Sequence, residues 1–181
     1  MRFKSTIVSL GLLALVGTAS AQEANSVFSY SGFGTIGYSL SDTDTGVYTT
    51  GTQLNGATKR GSFDTDSKVG LQVNGKFNDV LSGTVQLFAK QDAIGQYGPS
   101  VEWAFLKAKL GSSFSVRAGR MGAPFFMTSD FRNVGYTNLT VRTPPDVYAS
   151  VPVRSFDGAD LLYQGSFGDT TINAQLWGGK A

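Results

Sequence analysis

The sequence predicts an all-β fold, an antiparallel sheet that is part of a transmembrane β-barrel. Three observations support this prediction. Apolar and hydrophilic residues alternate with a period of two in seven segments, no apolar run after the N-terminal segment is long enough for a membrane helix, and the connections alternate between short and long. A soluble sandwich has no reason to collect its long connections at one end, whereas an outer-membrane barrel has short turns on one side and long loops on the other.

An export signal precedes the first predicted strand. Arg2 and Lys4 are followed by an apolar run over residues 7–16 and by Ala19-Ser20-Ala21, which predicts cleavage after Ala21. Removal of residues 1–21 lowers the number of basic residues from 15 to 13 and leaves the 13 acidic residues unchanged, so residues 22–181 are formally neutral. A neutral chain without a basic run predicts no nucleic-acid partner.

The residue types that are absent exclude several kinds of chemistry. The sequence has no cysteine and no histidine, which excludes disulfide bonds, the usual zinc ligands and catalysis by either residue. We therefore expect no enzymatic activity, no cofactor and no metal, although a pair of acids acting as in glycoside hydrolases stays open. Asp42, Asp44, Asp64 and Asp66 are spaced closely enough for calcium, but they lack a full EF-hand loop, and solvated turn aspartates are the simpler interpretation.

The first three predicted strands cover residues 27–40, 68–77 and 81–90. Each has one apolar and one hydrophilic face, because successive side chains of a strand point to opposite sides of the sheet. The apolar positions are Phe28, Tyr30, Ile36, Tyr38 and Leu40, then Val69, Leu71, Val73 and Phe77, then Val85, Leu87 and Ala89. Phe33 is the one apolar residue of the first strand with the opposite parity.

Four more strands are predicted over residues 101–110, 114–120, 157–164 and 171–177, and no helix is predicted outside the export signal. Their apolar positions are Ala104, Leu106, Ala108 and Leu110, then Phe114, Val116 and Ala118, then Ala159, Leu161 and Tyr163, and finally Ile172, Ala174 and Leu176. Trp103 and Phe105 break the pattern, since they share the parity of Lys107 and Lys109. Aromatic residues near the strand ends suit the aromatic girdles of a membrane barrel.

The longest connection, residues 122–155, is too long for a turn and too rich in glycine and proline for a strand. It nevertheless carries many large apolar side chains, namely Phe125, Phe126, Met127, Phe131, Tyr136, Val141, Val147, Tyr148, Val151 and Val153. Long ordered loops are usually functional, and a segment with this much apolar surface has to pack on something. We expect it to fold back against the inside of the β-structure.

Several short motifs carry a resemblance to a known family. They are Arg117-Ala-Gly-Arg120, Pro124-Phe-Phe, Ser129-Asp130, Val134-Gly-Tyr136, Arg142-Thr-Pro-Pro, Val147-Tyr148 and Asp157-Gly-Ala-Asp160, with the opening Phe28-Ser-Tyr-Ser-Gly-Phe-Gly and the segment Val101-Glu-Trp-Ala-Phe-Leu-Lys. In these motifs the chain resembles trimeric porins of Gram-negative bacteria, and most of all a loosely characterised proteobacterial branch. The resemblance covers essentially all of residues 22–181.

The resemblance implies an outer-membrane barrel of about sixteen strands that admits small hydrophilic solutes. It further implies a homotrimer, contact with the lipid bilayer and lipopolysaccharide, and a third external loop, residues 122–154, that folds into the lumen and forms its constriction. The seven predicted strands would then be the N-terminal part of the barrel. The chain would be a fragment, since barrels of this family end on an aromatic residue and this one ends at Gly178-Gly-Lys-Ala181.

The strand parity and this loop together predict the residues that line the pore. They are Lys107, Arg117, Arg120, Asp130, Arg142, Asp146 and Asp160. The best-known general porins carry Pro-Glu-Phe-Gly in the loop, whereas Phe125 follows Pro124 here, so the acid of the constriction stays open between Asp130 and Asp146. Because basic residues outnumber the single acid, Asp160, on the hydrophilic face, we expect a weak preference for anions.

The leading hypothesis is therefore a passive outer-membrane channel for small hydrophilic solutes, and two other hypotheses stay open. One is a narrow, plugged barrel with a structural or adhesive role, since the length suits about eight strands with a filled interior. The other is a soluble periplasmic sandwich that binds a ligand. The inner segment distinguishes the first two, because a small barrel has no room for a loop of this size.

Overall fold

The computed structural model describes residues 26–43, 45–50, 53–126, 128–137, 140, 143, 145–148, 151 and 153–181. They form one antiparallel sheet whose seven strands follow the order of the sequence. The strands are β1 (Phe28–Thr35), β2 (Lys68–Lys76), β3 (Leu81–Lys90), β4 (Pro99–Leu110), β5 (Phe114–Gly122), β6 (Ser155–Phe167) and β7 (Thr170–Lys180). Among the described residues the sheet is open, since β1 and β7 each pair on one side only, so the all-β prediction is confirmed and these strands do not close a barrel. The predicted export signal, residues 1–21, lies outside the described residues.

Two details of the predicted elements are wrong. The first strand ends at Thr35 and not at residue 40, because the chain beyond it turns aside to form an isolated bridge between Ser39 and Ser62. The chain also has two short helical elements, a 3₁₀ turn (Gly135–Thr137) and one turn of α-helix, α1 (Pro145–Tyr148). Proline suits the first position of a helix, where an N–H group would have no helical partner. Within the described ranges, no helix has the length and apolarity needed to cross a lipid bilayer.

The connections alternate in length along the chain. The short ones, residues 77–80, 111–113 and 168–169, lie at one end of the sheet, which we call the short-turn end. The long ones, residues 36–67, 91–98 and 123–154, lie at the other end, which we call the loop end. In the first short turn, Asn78 Oδ1 accepts hydrogen bonds from the backbone N–H groups of Val80 (2.8 Å) and Leu81 (2.7 Å), so the turn is closed by an asparagine side chain.

The two faces of the sheet differ in chemistry. The inner face is defined here as the one that carries Gln72, Gln86, Phe105, Arg117 and Asp160. The opposite, outer face has a row of exposed apolar side chains, namely Val69, Leu71, Val85, Leu87, Leu106, Leu110, Ile172 and Leu176. At the short-turn end of the sheet, two aromatic pairs form, Phe28 with Phe77 (ring centroids 6.4 Å apart) and Phe114 with Tyr163 (4.9 Å).

A β-bulge in β4 lies directly before the two aromatic residues that break the predicted pattern, and from Trp103 onward these residues share the inner face with Lys107 and Lys109. Gln86 pairs with Trp103 and Leu87 pairs with Val101, which leaves Glu102 as the extra residue of β4. A bulge re-aims the side chain at the extra position and restores the alternation after it. Phe105 consequently lies on the inner face, where the Arg117 guanidinium is 5.2 Å from the centroid of its ring.

The described part of the long loop, residues 123–154, packs on the inner face. At its base a small apolar core forms from Met121, Ala123 and Phe156, with the partly buried Phe105 and Val153 against it. The Phe125 ring packs edge-on against Trp177 of β7, with centroids 5.3 Å apart. Across the sheet, a Cβ atom added to Gly135 would lie 2.8 Å from Thr35 Oγ1 of β1. The described part of the loop therefore reaches from the last strand to the first.

Candidate functional site

The inner face is centred on an ion pair between two of the predicted pore residues, Arg117 and Asp160. They are register partners on the neighbouring strands β5 and β6. Arg117 donates from Nε to both carboxylate oxygens (3.0 and 3.1 Å) and from Nη2 to Oδ2 (2.5 Å). Only 14% of the Arg117 side chain is exposed, and none of the Asp160 side chain is. This forked contact is among the strongest geometries that a guanidinium and a carboxylate adopt.

Two neighbours complete the surroundings of this pair. Gln175 of β7 donates from Nε2 to Asp160 Oδ2 (2.7 Å), and the face of the Phe105 ring attracts the Arg117 cation above it. The carboxylate is thus surrounded by donors that compensate its loss of water. Because the two charges neutralise each other, the Arg117–Asp160 pair adds little net charge to the inner face.

Two sequence motifs meet residue by residue at this pair. Arg117-Ala-Gly-Arg120 runs antiparallel to Asp157-Gly-Ala-Asp160, so arginine faces aspartate at both ends, alanine faces alanine and glycine faces glycine. Gly119 has a φ of +133°, and a Cβ atom there would lie 2.2 Å from the Ala104 carbonyl oxygen. Only glycine fits this position without a shift of the backbone. At the far end of the ladder, Arg120 Nε and Nη2 each donate to an Asp157 carboxylate oxygen at 2.8 Å.

Arg120, also predicted to line the pore, is not brought together with Arg117. The two arginines are three positions apart on one strand, so the alternation of β5 places Arg120 on the outer face at the loop end. Its side chain is 43% exposed and that of its partner Asp157 is 59% exposed. The Arg120–Asp157 pair is therefore a solvent-accessible pair of the outer face, unlike the buried pair of the inner face.

Lys107 is the basic residue of the predicted set whose charge stays uncompensated. It is the register partner of Arg117 on β4 and lies on the same, inner face. Among the described residues no acidic side chain forms an ion pair with it. With Arg117 neutralised, Lys107 and its neighbour Lys109 on the same face leave this part of the inner face positively charged among the described residues.

A ladder of polar side chains covers the inner face of β2 and β3. Gln72 Nε2 donates to Asn74 Oδ1 (3.0 Å), Thr84 Oγ1 donates to the same oxygen (2.9 Å), and Gln86 Nε2 donates to Gln72 Oε1 (2.8 Å). Gln72 faces Gln86 and Asn74 faces Thr84 across the two strands. The bond to Gln72 gives the amide nitrogen of the buried Gln86 a partner, so this part of the face is hydrophilic although it is shielded from solvent.

Glu102, the bulge residue, ties the long loop to the sheet. Its Oε1 accepts hydrogen bonds from Arg132 Nη2 (3.2 Å) and from Asn133 Nδ2 (3.1 Å) in the middle of the loop. Arg132 Nη2 also donates to the Arg154 carbonyl oxygen (2.8 Å), where the loop rejoins the sheet. The Arg132 and Glu102 side chains are 15% and 18% exposed. The Glu102 carboxylate thus attaches the middle of the loop to β4 of the sheet.

Of the two acids proposed for the constriction, only Asp130 has a described side chain, and it forms no contact with the basic residues of the predicted set that the structure describes. Asp130 is exposed, and its Oδ1 lies 3.3 Å from the position of a Cβ atom on Gly122. In the described part of the chain it makes no ion pair. Asp146 belongs to α1 but its side chain is outside the described residues, and so is the whole of Arg142. The position of a charge opposite Lys107 therefore stays a prediction.

Four residues that complete these contacts were missing from the predicted site: Glu102, Arg132, Asp157 and Gln175. Two of them have a signal in the sequence. Asp157 is the first residue of a motif that mirrors Arg117-Ala-Gly-Arg120, and Glu102 is the one acid of its strand, directly before two aromatic residues of unexpected parity. Arg132 and Gln175 have no such signal, because their roles depend on loop packing and on strand register.

Neither comparison with known proteins nor the arrangement of possible metal ligands assigns a function to this site. No protein-family model matches the chain, and no curated protein matches it significantly. Over the described ranges, no group of three or more acidic side chains is placed to hold a metal ion.

Proposed function

We propose that this chain is part of an outer-membrane β-barrel channel through which small hydrophilic solutes and ions diffuse passively. The observation that carries the proposal is the difference between the faces of the sheet. The long loop packs on a face with amides and charges, whereas the other face is apolar and exposed. Apolar surface costs about 25 cal/mol per Å² in water, and contact with lipid tails removes that cost.

The dimensions of the sheet support a position across a bilayer. Its strands have between 8 and 13 residues, and a tilted membrane strand needs about 9–11. The aromatic pairs at the short-turn end suit the interface between lipid tails and water. In this proposal the short-turn end faces the periplasm and the loop end faces the cell exterior.

The open edges of the sheet support a larger barrel. Unpaired N–H and C=O groups cost several kcal/mol each in hydrocarbon, so β1 and β7 need further partners inside a membrane. We propose a barrel of about sixteen strands, the size at which a barrel encloses an aqueous channel. An exported precursor with a signal over residues 1–21, a homotrimer, and contact with lipopolysaccharide belong to the same proposal.

The loop and the charges suggest how the channel discriminates between solutes. Residues 122–154 would narrow the lumen at the loop end, held there by Glu102. Solutes would pass the polar ladder of β2 and β3 on one side and Lys107 on the other. Polar walls admit hydrophilic solutes, and the uncompensated ammonium gives a weak preference for anions.

Reconstitution into proteoliposomes tests the function. The complete barrel protein, of which this chain is proposed to be part, should make the vesicles permeable to small sugars and chloride, with rates that fall steeply as the solute becomes larger. Heat-denatured protein is the control for leakage. A protein that remains in the aqueous phase and does not enter the vesicles would contradict the membrane assignment and favour the soluble sandwich.

A second candidate, a plugged barrel with a structural or adhesive role, is favoured by one observation. The apolar core of Met121, Ala123 and Phe156 fills the inner face beneath the loop. Under this alternative the protein would insert into the vesicles without making them permeable. The same experiment therefore separates the two candidates.

A further inference from the structure

A second polar feature lies on the inner face near the short-turn end. It is a hollow of about 560 Å³, here called the basic hollow, with Lys107 and Lys109 on one side and Gln164, Asn173 and Gln175 on the other. Ser115 lies between them on β5. Four neighbouring strands, β4 to β7, thus contribute hydrogen-bonding side chains to one space, next to the Arg117–Asp160 pair.

The charge of the basic hollow is positive. No aspartate or glutamate is among the residues that line it. The nearby Arg117 does not change this balance, because Asp160 neutralises it. Asp79, the acid that lies within electrostatic range of Lys109, is fully solvated and forms its ion pair with Lys76 (3.0 Å). Two ammonium groups of the hollow consequently have no acid of their own.

The spacing of the donors indicates the kind of solute. Lys107 and Lys109 are two positions apart on one strand, so their side chains start roughly 7 Å apart on the same face. Two cations at this spacing match two separated negative charges better than one, and the amides of Gln164, Asn173 and Gln175 offer further donors to oxygen atoms. An uncharged sugar would use the amides alone.

We propose that the basic hollow is a binding site for small oxyanions with two negative charges, such as inorganic phosphate or a short dicarboxylate. The inference rests on the proposed channel function, for which it names a solute class. The site would hold the anion on the periplasmic side of the constriction. Weak binding of this kind concentrates a solute in a pore without retaining it.

Equilibrium binding to the full chain in detergent micelles tests the site without requiring a channel. Calorimetric titration with phosphate, and separately with succinate, should give binding that weakens as salt is added. Lys107→Gln and Lys109→Gln should each weaken it by roughly tenfold, the usual effect of losing one charge-assisted hydrogen bond. Lys76→Gln is the matched control, since this lysine lies at the same end but is exposed and already paired.

The outcomes are distinct. Binding of phosphate alone or of succinate alone by the unmodified chain would define the oxyanion more narrowly, and loss of that binding in both lysine variants but not in the control would support the site. Equal weakening in Lys76→Gln, or binding of glucose as tight as that of phosphate, would overturn it. Conductance measured in parallel separates the two proposals, because a protein that conducts without binding phosphate or succinate retains the channel function and loses this inference.

Discussion

At the scale of single residues, Arg117 and Asp160 stabilise the fold only as a pair. A buried ion pair is stabilising only while both partners are present, because each alone is a charge without water. Here the carboxylate is fully buried and also accepts a hydrogen bond from Gln175. Loss of one partner and loss of both should therefore have very different consequences.

Arg117→Leu should destabilise the fold by about 3–5 kcal/mol, because it leaves Asp160 buried and unpaired. The double variant Arg117→Leu with Asp160→Leu should cost clearly less than this single change. Urea unfolding in detergent measures both. The control Arg120→Leu breaks the exposed pair and should cost far less, because solvent screens the two charges. A double variant as unstable as the sum of its single changes would contradict the buried-pair argument.

Lys107 and Arg120 were both predicted to line the pore, but the structure places them on opposite faces of the sheet. Lys107 lies on the inner face without an ion-pair partner among the described residues, whereas Arg120 lies on the outer face beside Asp157. Lys107→Gln should shift the reversal potential in a salt gradient toward cations, because it removes one of the two uncompensated charges, Lys107 and Lys109, of this part of the inner face. Arg120→Gln should leave it unchanged. A shift in the Arg120 variant as large as that in the Lys107 variant would place Arg120 in the lumen after all.

At the scale of the elements, the bulge of β4 determines where the long loop is attached to the sheet. An extra residue turns Glu102 toward Arg132 and Asn133, and the aromatic residues that follow return to the inner face. Bulges commonly re-aim one side chain for a purpose. In this chain that side chain is the anchor of the longest connection.

Glu102→Gln should loosen the loop, because it replaces charge-assisted hydrogen bonds with weaker ones. Backbone amides of residues 128–137 should exchange with deuterium roughly tenfold faster, while amides of β2 and β3 should not change. Arg132→Gln should have the same effect, and the double variant should add little, since both remove one contact. The control Asp169→Asn changes an exposed acid in the β6–β7 turn. Faster exchange in that control would show a general loss of stability.

The register between β5 and β6 is set by complementary motifs. A slip by one residue would place every side chain of one strand on the wrong face and separate both arginine–aspartate pairs. Gly119 and Gly158 constrain the neighbouring strands instead, since Cβ atoms there would lie 2.2 Å from the carbonyl oxygens of Ala104 in β4 and Gly178 in β7. The charged residues at the ends of the two motifs thus specify the β5–β6 register, and the glycines inside them fit the close approach of β4 and β7.

At the scale of the whole molecule, the central feature is a sheet with one apolar and one hydrophilic face. Leu71 and Gln72 are neighbours in β2 that lie on these opposite faces, one 61% exposed among apolar residues and the other within the polar ladder. They are therefore a matched pair for testing the membrane proposal. Their backbone surroundings are the same, so only the face differs.

Leu71→Arg should destabilise the membrane-inserted protein by about 2–4 kcal/mol, the cost of a lipid-facing arginine near the bilayer midplane. Gln72→Arg should be tolerated and should change the conductance. Unfolding from lipid vesicles measures the first effect and single-channel recording the second. Equal damage from both substitutions would mean that both faces of the strand are buried in protein.

The parts of the candidate site that were predictable are those that depend on local pattern. Period-two alternation placed Lys107, Arg117 and Asp160 on one face, and the structure brings these three together. The alternation also implied a different face for Arg120, but its position next to the loop outweighed that signal. Asp130 and Asp146 were chosen because the loop has few acids, and no local pattern states where a loop side chain points.

The sequence by itself determined the strand periods, the two chemically different faces, the alternation of short and long connections, and the apolar character of the long loop. These properties follow from the chemistry of side chains one or two residues apart in the sequence. They can be predicted without knowing which residues the strand contacts. Only the tertiary structure decided that Arg117 neutralises Asp160, that a bulge turns Glu102 toward the loop, and that no acid of the described residues pairs with Lys107. Those outcomes depend on register and on contacts between residues some 30 to 43 positions apart, which alternation along one strand does not encode.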